Sequence, residues 1–216
     1  MPRWSSCWDP FNQGLSLIAI LDYGSGNLRS AERAFATSGD GVVVTSDART
    51  AYEADGLVIP GVGAFAACMS GLQAIDGESI IRKRLENDRP TLGICIGMQI
   101  LFSLGDEHSQ GQPHQGVGIW SGIISALDAP ILPHMGWNTV QAPRESTLFA
   151  GIGDQSFYFV HSYAAKEAVG VLQTWTTYGT RFLSAVEDGY ISATQFHPEK
   201  SGGAGLALIK NWTQSL

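Results

Sequence analysis

The sequence predicts an α/β protein: a mostly parallel sheet flanked by helices, with extra antiparallel strands in the second half. Three observations predict it. Short, fully apolar segments alternate with helical ones through the first hundred residues, as expected of strands buried on both faces. After residue 118 the pattern changes to strand-like runs joined by short turns such as Glu187-Asp188-Gly189. The length of 216 residues, set against about 150 per domain, favours one domain and allows a core that needs no disulfide or metal.

Each element follows from its residues. Residues 1–15 show no period and read as a weakly docked extension, or as the product of a misplaced start codon, ahead of a single domain over 16–216. They do not read as a signal peptide. The apolar run from Leu15 to Leu21 is seven residues and leads into Asp22-Tyr23-Gly24-Ser25-Gly26-Asn27, not a small-residue cleavage site. Leu17–Leu21 is the first strand. Asn27 can cap a helix that runs to about Ser38 and ends at Gly39. Val42–Val44 and Leu57–Ile59 are strands, the second stopped by Pro60-Gly61. Residues 65–88 read as helical with a break near Gly77. Thr91–Cys95 is a strand, and Gly97–Leu104 reads as a helix. The polar segment Gly105–Gly118 is a surface loop. Strands are expected over Ile119–Leu127, Phe157–His161, Val169–Trp175, Phe182–Val186 and Ile191–Gln195, and a helix over 204–213.

Composition removes several function classes. Hydrophobic residues make up 44% and charged residues 15%, which is not the composition of a disordered chain. The net charge of −7 is unsuited to a nucleic-acid binder, whose affinity rests on phosphate contacts. Arg82-Lys83-Arg84 is followed by Glu86 and Asp88 and reads as a solvated helix face. No apolar run approaches 18 residues, so no membrane span is expected. Cys7, Cys68 and Cys95 are widely spaced and odd in number, which points to a reducing, cytoplasmic setting.

Three segments carry chemistry. Gly93-Ile94-Cys95-Ile96-Gly97 lies where a strand gives way to a helix. Glycines two before and two after the cysteine permit a tight elbow that presents the sulfur and aims a helix N-terminus at it. A thiolate nucleophile needs a proton acceptor and donor, and His197 follows the last strand. Pro198 fixes the backbone between His197 and Glu199, so the carboxylate can orient the imidazole. In Pro60-Gly61-Val62-Gly63, two glycines let backbone N–H groups turn toward a developing oxyanion. The N–H of Ile96 is the natural second donor.

Together with Pro133-His134-Met135-Gly136-Trp137-Asn138 and Phe157–Tyr163, these segments resemble the class I (triad) glutamine amidotransferases. Within that family they are similar to the glutaminase subunits of imidazole glycerol phosphate synthases, over about residues 17–213. The resemblance implies a flavodoxin-like sheet and an enzyme of histidine biosynthesis that hydrolyses L-glutamine to glutamate and ammonia. Cys95 would be the nucleophile, His197 the proton carrier and Glu199 its orienting carboxylate. Val62 or Gly63 would supply an oxyanion donor, in a turn that flips its backbone on activation. Gln99, His161 and Ser162 would hold glutamine. Asn27, Trp137 and Lys200 would meet the partner, a (β/α)₈-barrel cyclase that receives ammonia within a heterodimer. Two departures stand out. Ala164 and Ala165 replace bulkier or basic residues, which would change partner contacts, and Ile96 replaces leucine.

Other signals carry less. Gly24-Ser25-Gly26 lacks the third glycine of a dinucleotide fingerprint, because Arg29 stands there, so no cofactor is expected. Asp106, Glu107, His108 and His114 match no zinc spacing, so no metal is expected. Cys68, Phe65 and Leu72 share a core-facing helix spacing, and Tyr158 reads as strand packing. Two enzyme alternatives stay open: a triad glutaminase of another synthase, for example in pyridoxal phosphate synthesis, and a stand-alone γ-glutamyl hydrolase. A non-hydrolysing regulatory subunit is the alternative from another class.

Overall fold

A computed structural model describes residues 16–216; the expected extension over 1–15 lies outside them. The first half contains β1 (Leu17–Leu21), α1 (Leu28–Phe35), β2 (Gly41–Thr45), α2 (Ala48–Glu53), β3 (Gly56–Gly61), α3 (Phe65–Ala74), α4 (Gly77–Glu86) and β4 (Thr91–Cys95). The second half contains α5 (Ile96–Gln99), β5 (Phe102–Gly105), β6 (His114–Gln115), β7 (Trp120–Ala126), β8 (His134–Thr139) and β9 (Ser156–His161). It continues with β10 (Tyr163–Ala165), β11 (Leu172–Tyr178), β12 (Thr180–Asp188), β13 (Ile191–Thr194) and α6 (Gly202–Thr213).

The main sheet has the order β11-β12-β13-β4-β3-β1-β2. From β13 to β2 every pairing is parallel, and β11 and β12 extend the sheet in antiparallel fashion. The central strands β3 and β4 are buried at every position, which is why they read as unbroken apolar runs. Smaller sheets, β10-β7-β5-β6 and β8-β9, accompany it. The core includes Ile18, Ile20, Leu57, Ile59, Phe65, Leu92 and Phe182.

Local signals explain most boundaries. The Asn27 side chain accepts a hydrogen bond from the Ser30 N–H and starts α1, and Gly39 at φ +93° ends the 3₁₀ turn that follows it. The break near Gly77 separates α3 from α4. Asp76 is left-handed there, and a Cβ on Gly77 would stand 2.3 Å from Leu72 Cδ1.

Three expectations change. The helix expected over Gly97–Leu104 is a single turn, α5. The chain then enters β5, whose residues pair with β6 and β7, and sheet pairing overrides the helical spacing of the apolar residues. The strand expected over Val169–Trp175 lies three residues later. Its buried positions include Thr174 and Thr176, while Val171 is exposed, so apolar patterning misplaces it. The basic face at Arg82-Lys83-Arg84 is solvated only in part, because Arg84 is fully buried.

Arg84 is a structural cation. Its guanidinium lies 2.6–3.2 Å from the carbonyl oxygens of Ala51, Tyr52, Ala54, Asp55 and Pro90, tying the end of α2 to the start of β4. Burial lowers its pKa to about 10, so it stays charged at neutral pH. Arg84→Met would leave these carbonyls without their donor and is expected to cost about 4 kcal/mol of stability. Urea unfolding measures it; a loss under about 1 kcal/mol would contradict this role.

Candidate active site

The site sits beyond the carboxyl ends of β3, β4 and β13, where an open α/β sheet gathers its functional loops. Cys95 closes β4 with φ +56° and ψ −111°, a strained conformation for a residue with a Cβ. Packing enforces it. A Cβ on Gly97 would stand 1.8 Å from the Ile59 carbonyl oxygen, and one on Gly61 would stand 2.5 Å from the Gly97 nitrogen. The elbow therefore lies directly on β3. With α5 reduced to one turn, the sulfur is presented by this elbow more than by a long helix dipole.

The His197 segment is tied to β9. The His197 N–H donates to the Tyr158 carbonyl at 3.0 Å. The Ser201 hydroxyl donates to the His197 carbonyl at 2.7 Å and accepts from the Tyr158 N–H at 2.9 Å. Pro198–Lys200 form a 3₁₀ turn that brings Glu199 back, and His197 Nδ1 donates to Glu199 Oε1 at 2.7 Å. Both side chains are almost fully buried, and His197 Nε2 has no protein partner. Burial opposes protonation of His197, but the nearby Cys95 sulfur and the hydrogen-bonded Glu199 carboxylate favour the charged ring more strongly and raise the pKa to about 9. The imidazolium is therefore held beside the sulfur at neutral pH.

One cavity of about 370 Å³ collects most of the expected residues: Cys95, His197, Val62, Gly63, Ile96, Gln99, His161, Ser162 and Lys200. Glu199 stands behind His197. The Gln99 amide donates to the Tyr163 carbonyl at 2.8 Å and to Gln195 Oε1 at 2.9 Å, leaving its own Oε1 buried and unpartnered. His161 has both ring nitrogens occupied. Nδ1 donates to the Tyr163 carbonyl at 3.0 Å, so Nε2 accepts from His134 Nδ1 at 3.2 Å. Burial lowers the pKa of His161 to about 3 and of His134 to about 4, so both are neutral.

The Val62 N–H donates to Ser25 Oγ at 3.2 Å, and Ser25 is not among the residues lining the cavity. Two further side chains reach the site: Glu107, weighed in the sequence only as a metal ligand, and Gln195. Glu107 comes from the polar loop, lines the cavity and accepts from the Phe65 N–H at 2.7 Å, filling the cap that Ala64 cannot supply to α3. Gln195 is fully buried and directs Nε2 at Cys95 Sγ from 3.8 Å. Its place beside Phe196-His197-Pro198 was the only signal available.

Asn27 and Trp137 lie outside the cavity. Trp137 is 59% exposed, with its ring edge-on to Tyr158, so it does not pack into the core. Met135, Ile131 and Leu132 are exposed near it in sequence. Ala164 and Ala165 are buried and pair with Ser125 and Ile124, so their small size suits internal packing, not a partner contact. Cys68 is buried as expected. No helix of the described residues is long and apolar enough to cross a membrane.

The state of His197 is open to direct measurement. Its ring resonances, followed by ¹⁵N NMR, are expected to titrate near pH 9. Glu199→Gln removes one of the influences that raise it and should lower the midpoint. A wild-type midpoint near 6.5, or one unmoved by Glu199→Gln, would contradict the buried pairing.

Comparison with known proteins agrees with this geometry. Residues 19–214 match the family described as Glutamine amidotransferase class-I. Imidazole glycerol phosphate synthase subunit HisH of Nocardia farcinica is 57% identical over 208 residues, covering 92% of this chain and 98% of that protein. The protein of the same name from Streptomyces coelicolor is 52% identical, with 92% and 93% covered. A crystal structure of a glutamine amidotransferase superposes with a TM-score of 0.69 at 18% identity, covering 91% of this chain and 98% of that one. The PurLQS structure from Thermotoga maritima gives 0.65 at 17% identity, covering 93% and 99%. These two likenesses concern the fold, and the sequence relatives narrow it: the chain belongs to the class I glutamine amidotransferases and, among them, to the HisH family.

Proposed function

We propose that this chain, as a single domain over 16–216, hydrolyses L-glutamine with Cys95, His197 and Glu199 and delivers ammonia to a barrel cyclase in histidine biosynthesis. The observation that carries the reading is the buried His197–Glu199 pair at 2.7 Å, with the free Nε2 of His197 in the same cavity as Cys95. The Cys95 thiolate attacks the side-chain amide carbon of glutamine and forms a tetrahedral oxyanion. His197 gives its proton to the departing nitrogen, which leaves as ammonia, and a glutamyl thioester remains. The now neutral His197 then takes a proton from water, whose oxygen attacks the thioester, and glutamate leaves as the thiolate re-forms. Backbone N–H groups at Val62 or Gly63 and at Ile96 stabilise the oxyanion. Each such donor is worth about 10²–10³ in rate.

The cavity also suits the amino-acid end of glutamine. The unpartnered Gln99 Oε1 and the Glu107 carboxylate are acceptors for an α-ammonium group. Since both ring nitrogens of His161 are engaged, His161 and Ser162 serve the substrate through backbone and shape. The exposed Trp137, outside the cavity, anchors the cyclase in a heterodimer, with Asn27 and the cavity-lining Lys200 as further contacts. The chain works in the cytoplasm.

Glutamate release by the chain alone, with the cyclase, and with cyclase plus its nucleotide ligand tests this. Activity is expected to rise strongly in the full complex, and Cys95→Ala should reduce it to background with fold and cyclase affinity intact. Glutamate release retained by Cys95→Ala would end the nucleophile assignment. High activity that ignores the cyclase would assign the chain to another glutaminase role. Trp137→Ala should weaken cyclase binding by about tenfold or more while leaving the melting temperature nearly unchanged. Unchanged affinity in a titration would remove Trp137 from the interface.

A further inference from the structure

Two buried side-chain amides lie between the Tyr163 carbonyl and the Cys95 sulfur. The carbonyl can only accept, and its two lone pairs take His161 Nδ1–H at 3.0 Å and Gln99 Nε2–H at 2.8 Å. Gln99 gives the second proton of Nε2 to Gln195 Oε1 at 2.9 Å. Gln195 therefore keeps its oxygen toward Gln99 and its own Nε2 toward Cys95 Sγ, 3.8 Å away. A half-turn of Gln195 would set two donors face to face, and a half-turn of Gln99 would set its oxygen against two acceptors.

The backbone holds Gln195 in this place. Its N–H donates to the Ser184 carbonyl at 2.8 Å, and the Thr194 hydroxyl donates to the Phe196 carbonyl at 3.0 Å. The Phe196 ring stacks on Phe157 with centroids 4.4 Å apart. A fixed N–H aimed at a sulfur favours the thiolate, which accepts a hydrogen bond more strongly than a thiol does. The other titratable groups around these amides are His197 with Glu199, the neutral His161, and Glu107 and Lys200 on the cavity wall. Among the described residues, Cys95 is the titratable side chain hydrogen-bonded to Gln195.

We propose that Gln195 is a further residue of the catalytic site: it holds the Cys95 sulfur as a thiolate through an N–H whose direction the Tyr163 carbonyl sets by way of Gln99. The proposal rests on the reading of Cys95 as a glutaminase nucleophile. Its consequence is a pH range. As pH falls, the sulfur is protonated and attack on glutamine stops. Without the Gln195 N–H the thiolate loses a stabilising donor, so acid silences the enzyme at a higher pH. Well above that point the sulfur is a thiolate with or without Gln195, and the difference fades.

The test measures kcat/KM for glutamate release against pH, for wild type and Gln195→Met, in the complex with cyclase plus nucleotide ligand. The acid limb of Gln195→Met is expected about one pH unit higher, which is about a 10-fold loss on the acid side, the scale of a long hydrogen bond to a charged group. The ratio to wild type should climb toward one as pH rises. A defect of packing alone lowers activity by the same factor at every pH, so a flat ratio overturns the proposal, as does a variant equal to wild type throughout. A second measurement needs no Gln195 variant. The Gln195 side-chain amide protons, followed by ¹⁵N NMR from neutral pH downward, should shift as the sulfur is protonated and lose that shift in Cys95→Ala. Amide protons indifferent to Cys95→Ala overturn the contact, and this result decides if Gln195→Met does not fold. If the wild-type complex releases no glutamate in a Cys95-dependent way, the glutaminase reading itself fails. If it does and the acid limb stays in place, only the role of Gln195 fails.

Discussion

The site depends on one close backbone contact: the elbow after β4 lies against β3 with no room for a side chain between them. The space between Gly97 and the Ile59 carbonyl admits no Cβ, and Gly61 also lies close against the Ile96–Gly97 peptide. This contact holds Cys95 in its positive-φ conformation. It also sets the distance between Cys95 and the Pro60–Gly63 turn, because Gly61 and Cys95 are register partners at the ends of their strands. The strain at Cys95 is sustained by a parallel sheet that is buried on both sides there.

Around this elbow, burial has opposite consequences for different histidines. His197 is buried beside a sulfur and a carboxylate, which favour its charged form more than desolvation disfavours it. His161 and His134 are buried among aromatic rings and carbonyls, with no acid beside them, so desolvation keeps them neutral. The neutral pair fixes a tautomer chain from Asn138 through His134 to His161 and the Tyr163 carbonyl. That chain stiffens the cavity wall without offering a second acid or base. Of these three histidines, only His197 is favoured in its charged form.

The two donors expected at an oxyanion differ in how they are held. Ile96 follows Cys95 in an elbow that packing fixes, whereas the Val62 N–H is bound by a serine hydroxyl from another loop. The exposed Trp137 lies on β8, whose partner β9 carries Tyr158. The Tyr158 carbonyl in turn holds the His197 backbone. Strand β9 therefore links the exposed face to the His197 segment.

The sequence by itself determined the alternation of strands and helices, the elbow, the His197–Glu199 pair and the cap at Asn27. Each is a local property: a run of apolar residues, glycines flanking a cysteine, a proline between two side chains, or an asparagine ahead of a helix. The sequence misplaced α5, where pairing of β5 with β6 and β7 outweighs local spacing, and β11, whose buried positions include the polar Thr174 and Thr176. It left Arg84 on a solvated face because its five carbonyl acceptors come from segments that only folding brings together. The place of Glu107 at the cavity, which the sequence offered only as a rejected metal ligand, and that of Gln195 were illegible for the same reason. Their roles are set by Phe65, Gln99 and Cys95, which lie far away in sequence. Only the tertiary structure decided that the Ser25 turn grips Val62, because hydrogen bonds across 37 residues leave no periodic trace in a chain.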